Sequence, residues 1–370
     1  MDCQEALELR LAAQHISAWL ERPEEVLRSM GAMQAQDYKA ALWAIGLRCR
    51  EGTTAAEIEN AVSKRMIART WLMRGTIHFA ASKDIPWMLK LFAPRLLRTA
   101  MQRDQHLGLS NGAVERAKKA FCNALVKERQ LTRSEMYALL EKEGIPSKNN
   151  LGYHMLYRAA WDGLICFGPS TGEEQTFVLL EEHVGKGREL EGKDALGELA
   201  RRYFTSHGPA TIRDYVWWSG LTVKDAKAGI EKAGKALRKE TIDGVEHYMQ
   251  SERVRPGRRQ AAYLLPAFDE YLVGYAERGT MLGGSEAGKG PGKPGKKENM
   301  RVVHSNGTFV PVVVAGGKVA GRWGRKLKGK RMAISVKPFI RLEKDAIASV
   351  KDEVERYGRF FGIEASLDLI

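Results

Sequence analysis

The spacing of hydrophobic positions changes several times along the first eighty residues. Leu7, Leu11, Ile16 and Leu20 recur at near-helical intervals, so residues 4 to 20 are predicted as one amphipathic helix. Pro23 opens a shorter helix that should stop near Gly31, because proline suits a first helical turn and glycine the residue just past the last. Ala32 to Asp37 is short and lacks helical period, and is predicted as a strand. A further helix is expected from about Lys39 to Arg48. Thr54, followed three residues later by Glu57, reads as the capping-box start of the next. Ile67 to Ala81 is rich in β-branched and aromatic residues and broken by Arg74-Gly75, which signals a hairpin. Helix, strand, helix, helix, hairpin is the order of a winged helix, in which a helix pair fits a DNA groove and the hairpin reaches the backbone.

A similar order recurs twice. Residues 111 to 143 give helices, with Thr132 placed to cap one; 150 to 162 give another, and Leu164 to Leu180 a hairpin around Pro169 to Glu174. Residues 193 to 206 are helical, Thr211 caps a helix through Trp218, Thr222 caps one through Leu237, and Lys239 to Tyr248 forms a strand pair turning at Asp243-Gly244. Past residue 255 the pattern changes. Residues 283 to 300 are rich in Gly, Pro and Lys and are predicted to be a mobile loop. Val310–Val314, Lys318–Trp323 and Met332–Val336 then alternate as strands, with a turn at Gly316-Gly317 and a final helix over Lys344–Phe360. The expected class is α+β: three tandem winged helices over 1–105, 106–190 and 191–255, then a small basic, β-barrel-like domain over 256–370.

Composition narrows the picture. Hydrophobic residues make up 44% and charged residues 28%, the balance of a soluble globular protein. No run approaches the roughly 18 apolar residues that span a bilayer. Asp2, Glu5 and Glu8 replace the basic start of a secretory signal, and Cys3, Cys49, Cys122 and Cys166 are scattered without a C-x-x-C pair. The expectation is a cytoplasmic protein with reduced thiols, no membrane contact, and no zinc, iron–sulfur centre or other cofactor.

Lys plus Arg number 59 against 45 acids, giving a net charge of +14. Between Arg301 and Leu342 stand ten basic residues and no acid, which points to a phosphate-facing surface containing Arg322, Arg325 and Lys326. The competing reading is a chain that is basic only for solubility. Lys64, Arg69 and Arg74 flank the first hairpin and are placed to grip phosphates or the minor groove; surface ion pairing is the alternative for the two arginines. Duplex DNA is the expected partner.

Candidate chemistry centres on Met33-Gln34-Ala35-Gln36-Asp37. On a strand, residues i and i+2 share a face, so Gln34 and Gln36 would project together while Ala35 packs inward. Asp37 would face away unless the chain turns after Gln36, and is held in reserve as a catalytic residue. His78, between Ile77 and Phe79, reads as a structural histidine, and Trp71, Trp87, Trp217 and Trp218 as core. Asp269 and Glu270 are neighbours on a strand and so face opposite ways, which favours a structural role, with Asp269 fixing the entry to the barrel, over a two-carboxylate site. The G-x-G spacings within Gly283–Gly295 lack the flanking strand and helix of a phosphate loop.

Gly31-Ala32-Met33-Gln34-Ala35-Gln36-Asp37, with Ala40-Ala41-Leu42-Trp43 after it, resembles the Gln-apolar-Gln motif of the AlkZ-type crosslink-repair DNA glycosylases, the winged-helix family that includes the YcaQ-like enzymes. Further similar segments follow in order: Arg69 to His78, His207 to Thr211, Trp217 to Gly220, Leu265 to Leu272, and Gly321-Arg322-Trp323. The resemblance implies three winged helices, a C-terminal β-barrel, and excision of bases from DNA without metal or cofactor. It carries over to Gln34 and Gln36 as catalytic candidates. One branch of the family has an acid at the second position; Gln36 aligns this chain with the other, associated with resistance to a crosslinking natural product. The lysine-rich insert at 283–300 departs from the resemblance and reads as an added electrostatic tether.

Amide chemistry limits the substrate. Glutamine cannot ionise, so it can orient water and present a carbonyl dipole to a cationic sugar but cannot act as a strong base. That suffices when the leaving group is already activated, as in a cationic N7- or N3-alkylpurine, and not for uracil or undamaged bases. The expectation is therefore a monofunctional glycosylase for cationic alkylpurines, including crosslinked ones. The alternative is a non-catalytic winged-helix DNA-binding protein or transcription regulator. That reading favours a symmetric dimer, whereas no long amphipathic helix offers a dimerisation arm, so a monomer is expected.

Overall fold

The computed structural model describes residues 1–172, 174–252, 257, 260–283, 302–304 and 307–369. Apart from Gly283, the loop expected at 283–300 lies outside the described residues. In chain order the elements are α1 (Cys3–Ala13), α2 (Pro23–Met30), β1 (Ala32–Gln34), α3 (Tyr38–Leu47), α4 (Ala55–Ser63), β2 (Ile67–Trp71), β3 (Ile77–Ala81), α5 (Ile85–His106), α6 (Asn111–Glu128), β4 (Leu131–Thr132), α7 (Arg133–Lys142), α8 (Leu151–Trp161), β5 (Ile165–Phe167), β6 (Thr176–Leu179) and α9 (Leu180–Val184). They continue with α10 (Gly192–His207), α11 (Ile212–Ser219), α12 (Val223–Ala233), β7 (Leu237–Ile242), β8 (Val245–Gln250), β9 (Ala262–Leu265), α13 (Glu270–Val273), β10 (Val312–Ala315), β11 (Lys318–Lys328), β12 (Arg331–Pro338), α14 (Lys344–Phe361) and β13 (Glu364–Leu369). The class is α+β, as the sequence implied. Two compact units emerge: residues 1–58 with 196–370, and residues 59–195.

In the first unit the local chemistry is direct. Pro23 sits in the first turn of α2, and Gly31 ends it at φ 81°, a conformation open to glycine. Asp37 caps α3, its carboxylate accepting from the Ala40 amide. Thr211 and Asp214 form a reciprocal capping box at α11. Asp243 and Gly244 both have positive φ and close the tight β7–β8 hairpin; Gly316 and Gly317 do the same between β10 and β11. One expectation is corrected: α1 stops at Ala13 instead of running to residue 20. His15 turns the chain at φ 60°, and Leu20 pairs as a short bridge with Cys49, so Ile16 is buried from a loop.

The C-terminal strands build one sheet in the order β13-β12-β11-β10-β9, antiparallel except for the β12–β13 pair. Helix α14 packs on this sheet and on α3. The Trp43 ring of α3 meets Tyr357 and Phe360 edge-on at 5.1 and 5.2 Å, and its indole N–H donates to the Leu264 carbonyl at 2.8 Å. Arg356 of α14 donates to the carbonyls of Gly46, Leu47 and Cys49, satisfying the otherwise open C-terminal carbonyls of α3. The helix that follows the glutamine motif is thus anchored at both ends.

In the second unit, strands β3, β2, β5, β6 and β4 lie side by side in that order. Trp71, Phe167 and Phe177 form its aromatic centre. Thr132 caps α7 through a capping box, as expected. Helix α5 was not anticipated: Pro86 at its start and Pro94 within it interrupt the pattern that a 22-residue helix would otherwise show.

Candidate active site

Strand β1 ends at Gln34, and the chain then bends through Ala35 and Gln36 into the cap of α3. The strand expected over Ala32–Asp37 is thus corrected to Ala32–Gln34, because Asp37 is taken up as the cap of α3; Ala35 is fully buried, Gln34 half-buried, and Gln36, past the strand end, exposed. Asp37 is exposed and engaged as the helix cap, accepting from the Ala40 amide at 3.0 Å.

Beneath the motif lies a buried polar cluster. Glu270, the first residue of α13, is 1% exposed. Its Oε1 accepts the backbone N–H of Gln34 at 2.8 Å, and its Oε2 accepts the indole N–H of Trp218 at 3.0 Å. His207 Nε2 stands 3.5 Å from the same Oε2, and Nδ1 pairs with the Ser206 hydroxyl at 2.8 Å. Burial lowers the His207 pKa below the ordinary histidine value and outweighs the neighbouring carboxylate, which raises it. Tyr203 stacks on the His207 ring at 4.6 Å and donates to the Gly274 carbonyl. Tyr275 donates to the His207 carbonyl.

One residue earlier, Asp269 caps α13 through the Tyr271 amide and takes two 2.8 Å hydrogen bonds from Arg48. A structural role for Asp269 is what the sequence reading assigned. The adjacent carboxylates do not sit on a strand, however: they start a helix, both are buried, and they serve different partners. Glu270, His207 and Trp218 were therefore not recognised as a cluster. The signal available was the pair of unusual segments His207-Gly208-Pro209 and Phe268-Asp269-Glu270, whose spatial meeting no periodicity reveals.

The tryptophan pair separates. Trp218 is fully buried, whereas Trp217 is 47% exposed, which corrects its assignment to the core. Its indole N–H donates to the Val273 carbonyl, and the Arg278 guanidinium lies 5.2 Å from its ring. Trp71 and Trp87 are core residues, and His78 is fully buried with Nδ1 2.9 Å from the Thr76 carbonyl.

The basic candidates divide as well. In the second unit, Lys64 is exposed after α4, and Arg74 is half-buried at the hairpin turn with φ 56°. Arg69 is 3% exposed with its guanidinium 4.4 Å over the Phe167 ring, so the expectation that it faces phosphates is corrected: its strand position turns it inward. In the C-terminal sheet, the register pairs Arg322 with Lys337 and Lys328 with Arg331, placing Arg322, Lys326, Lys328, Arg331 and Lys337 on one face. Arg325 falls on the other face, where it donates to the Tyr357 hydroxyl on α14. The acid-free run of sequence does not give an acid-free surface either. Parallel pairing with β13 brings Glu364 to Arg331 at 2.9 Å and Asp368 to Lys328 at 3.5 Å.

Among the described residues no group of three or more His, Cys, Asp or Glu side chains is gathered as a metal site, and no helix is long and apolar enough to cross a membrane. In the first unit, then, the half-buried Gln34 and the exposed Gln36 lie beside the buried carboxylate of Glu270. Residues 27–360 match the family described as DNA glycosylase AlkZ-like, and the chain belongs to that family of DNA glycosylases, hydrolases of N-glycosyl bonds. Among its relatives is the interstrand DNA cross-link repair glycosylase of Streptomyces sahachiroi, 24% identical over 354 residues that span 92% of this chain and 91% of the relative. The solved structure of Streptomyces sahachiroi DNA glycosylase AlkZ shares the fold, with a TM-score of 0.76 at 21% identity over 100% of both chains.

Proposed function

We propose that this glycosylase releases cationic alkylpurines from duplex DNA, including purines joined in interstrand crosslinks, using water positioned by Gln34 and Gln36. The observation that carries the reading is the alternation at the motif: the two glutamines lie outward of a buried Ala35, one half-buried and one exposed. In the reaction, the oxygen of water bonds to the anomeric carbon as the glycosidic C–N bond breaks. The bonding pair goes to the base and cancels its positive charge, and the water proton passes to solvent. No acid is required, because the departing base is neutral; the amide carbonyls stabilise the cationic sugar and orient the water. A bulky crosslink is not easily extruded into a closed pocket, and an exposed Gln36 suits an open site.

The fold reading that accompanies this function is three winged helices, over 1–105, 106–190 and 191–255, with a barrel-like C-terminal domain, acting as a cytoplasmic monomer on damaged duplex. Lys64, Arg74, Arg322 and Lys326 are the proposed phosphate contacts. The deciding experiment incubates the protein with duplex DNA bearing one N7-alkylguanine, then cleaves abasic sites with alkali. Wild type should cleave at the lesion, and Gln34→Ala and Gln36→Ala should each lose most excision while keeping DNA affinity. Wild-type rates from both variants would remove the amide pair from the mechanism.

A further inference from the structure

We infer that Glu270 is a positioning residue of this glycosylase: its buried carboxylate fixes the backbone of Gln34 and thereby the direction in which the motif's first amide points. The inference rests on the proposed role of the glutamine pair.

A carboxylate 1% exposed is costly unless its oxygens are matched by donors. An apolar side chain of the same size would avoid that cost but would take this acceptor from the Gln34 amide and from the buried Trp218 indole. What the carboxylate adds is two acceptors aimed in two directions. One takes the Gln34 amide at 2.8 Å and the other the Trp218 indole at 3.0 Å. Hydrogen bonds to a charged acceptor are shorter and stronger than neutral ones, so the peptide unit of Gln34 is held against rotation about the strand axis. The anchor itself is rigid. Glu270 begins α13, whose cap Asp269 is locked by Arg48, and Trp218 belongs to the capped helix α11. The guanidinium of Arg48 takes both oxygens of the neighbouring Asp269.

The chemistry predicts an asymmetric response to substitution. Glu270→Gln offers one acceptor and one NH2 donor where two N–H donors converge, so the amide must face one of them donor to donor. Removing the second donor with Trp218→Phe lets the glutamine turn its carbonyl to Gln34. Misplacing a reactive group by about 1 Å costs on the order of 10²-fold in rate.

The test measures single-turnover excision from an N7-methylguanine duplex, affinity for a duplex carrying an abasic-site analogue, and unfolding by urea. Glu270→Gln should excise roughly 10- to 100-fold more slowly with DNA affinity unchanged, and Glu270→Gln/Trp218→Phe should recover part of that loss. Glu353→Gln, which alters another buried carboxylate of the same unit, should lower stability without slowing excision. If Glu270→Gln does not fold, Glu270→Asp keeps both acceptors on a shorter stem and should slow excision at least tenfold. A wild-type rate from whichever folded Glu270 variant is measured, while Gln34→Ala and Gln36→Ala are inactive, overturns the positioning role. So does a loss of rate matched by an equal loss of DNA affinity. Normal excision by Gln34→Ala and Gln36→Ala would instead sink the reading on which it rests.

Discussion

Arg48 grips Asp269 with both terminal nitrogens, each 2.8 Å from a carboxylate oxygen, and both side chains are essentially excluded from water. Arg48 is the C-cap of α3 and Asp269 the N-cap of α13, so the pair joins the helix leaving the glutamine motif to the helix that starts at Glu270. Arg48 also donates to the Ala44 carbonyl and to Gln14, whose own amide reaches the Tyr275 hydroxyl.

Breaking this pair from one side leaves a buried charge without its partner. Arg48→Met and Asp269→Leu are each expected to destabilise the protein by about 3–5 kcal/mol, read as a fall in the urea midpoint. The double variant should recover most of that loss, since no orphaned charge remains. If the single changes cost no more than a surface substitution, the pair is not holding the two helices.

Acidification should loosen the fold for a separate reason. Burial is the largest influence on His15, His154, His183, His207 and His247, and it lowers the pKa of each below the ordinary value. The unfolded chain therefore takes up protons as the pH falls through about 6.5, while the native chain resists. More protons bound in the unfolded state means that stability rises with pH across this window and falls as the solution is made acidic. The urea midpoint should be flat above pH 7 and decline from there to pH 5, and His207→Gln should reduce the slope. A midpoint that rises on acidification would show that the histidines gain rather than lose protons in the native state.

Much of this architecture was legible where the cause is local. Proline and glycine marked α2, threonine caps marked α7, α11 and α12, and the Asp243-Gly244 and Gly316-Gly317 turns fixed two hairpins. Strand period reached only as far as Gln34: Ala35 is buried and Gln36 exposed, but the chain bends there into the cap of α3. What escaped was non-local or masked. The Glu270 cluster needs segments some 236 residues apart to meet. Helix α5 was hidden by its prolines, whereas β13 was missed although Ala365, Leu367 and Leu369 alternate with polar residues at strand period. Charge was misread for the same reason: a sequence run has no face until pairing assigns one, and β11–β12 pairing puts Arg325 opposite to Arg322 and Lys326.

That division of the basic residues has a measurable consequence. Each lost phosphate contact should reduce the slope of log affinity against log salt by about 0.9 on duplex DNA. Arg322→Ala, Lys326→Ala and Lys64→Ala are expected to show that reduction with little loss of stability. Arg69→Ala and Arg325→Ala should behave in the opposite way, lowering the urea midpoint and leaving the salt slope intact, because one guanidinium covers Phe167 and the other bonds Tyr357. A shallower salt slope for Arg69→Ala would mean that the hairpin opens to expose it on DNA.

Asp37, next to Gln36, is an exposed carboxylate that could activate water in place of the amides, and its helix-cap bond allows the two roles to be separated. Replacing a capping Asp by Ala costs roughly 0.5–2 kcal/mol, whereas Asn caps about as well and carries no charge. Asp37→Ala should therefore lower stability by about 1 kcal/mol, and Asp37→Asn should leave it near wild type. If Gln34 and Gln36 orient the water, excision of N7-methylguanine by Asp37→Asn should stay within a few-fold of wild type and keep its pH dependence, because neither amide ionises. A collapse of excision in Asp37→Asn, with DNA affinity and the urea midpoint preserved, would move water activation from the glutamines to this carboxylate. The exposed position of Asp37 and its commitment to the Ala40 amide favour the first outcome.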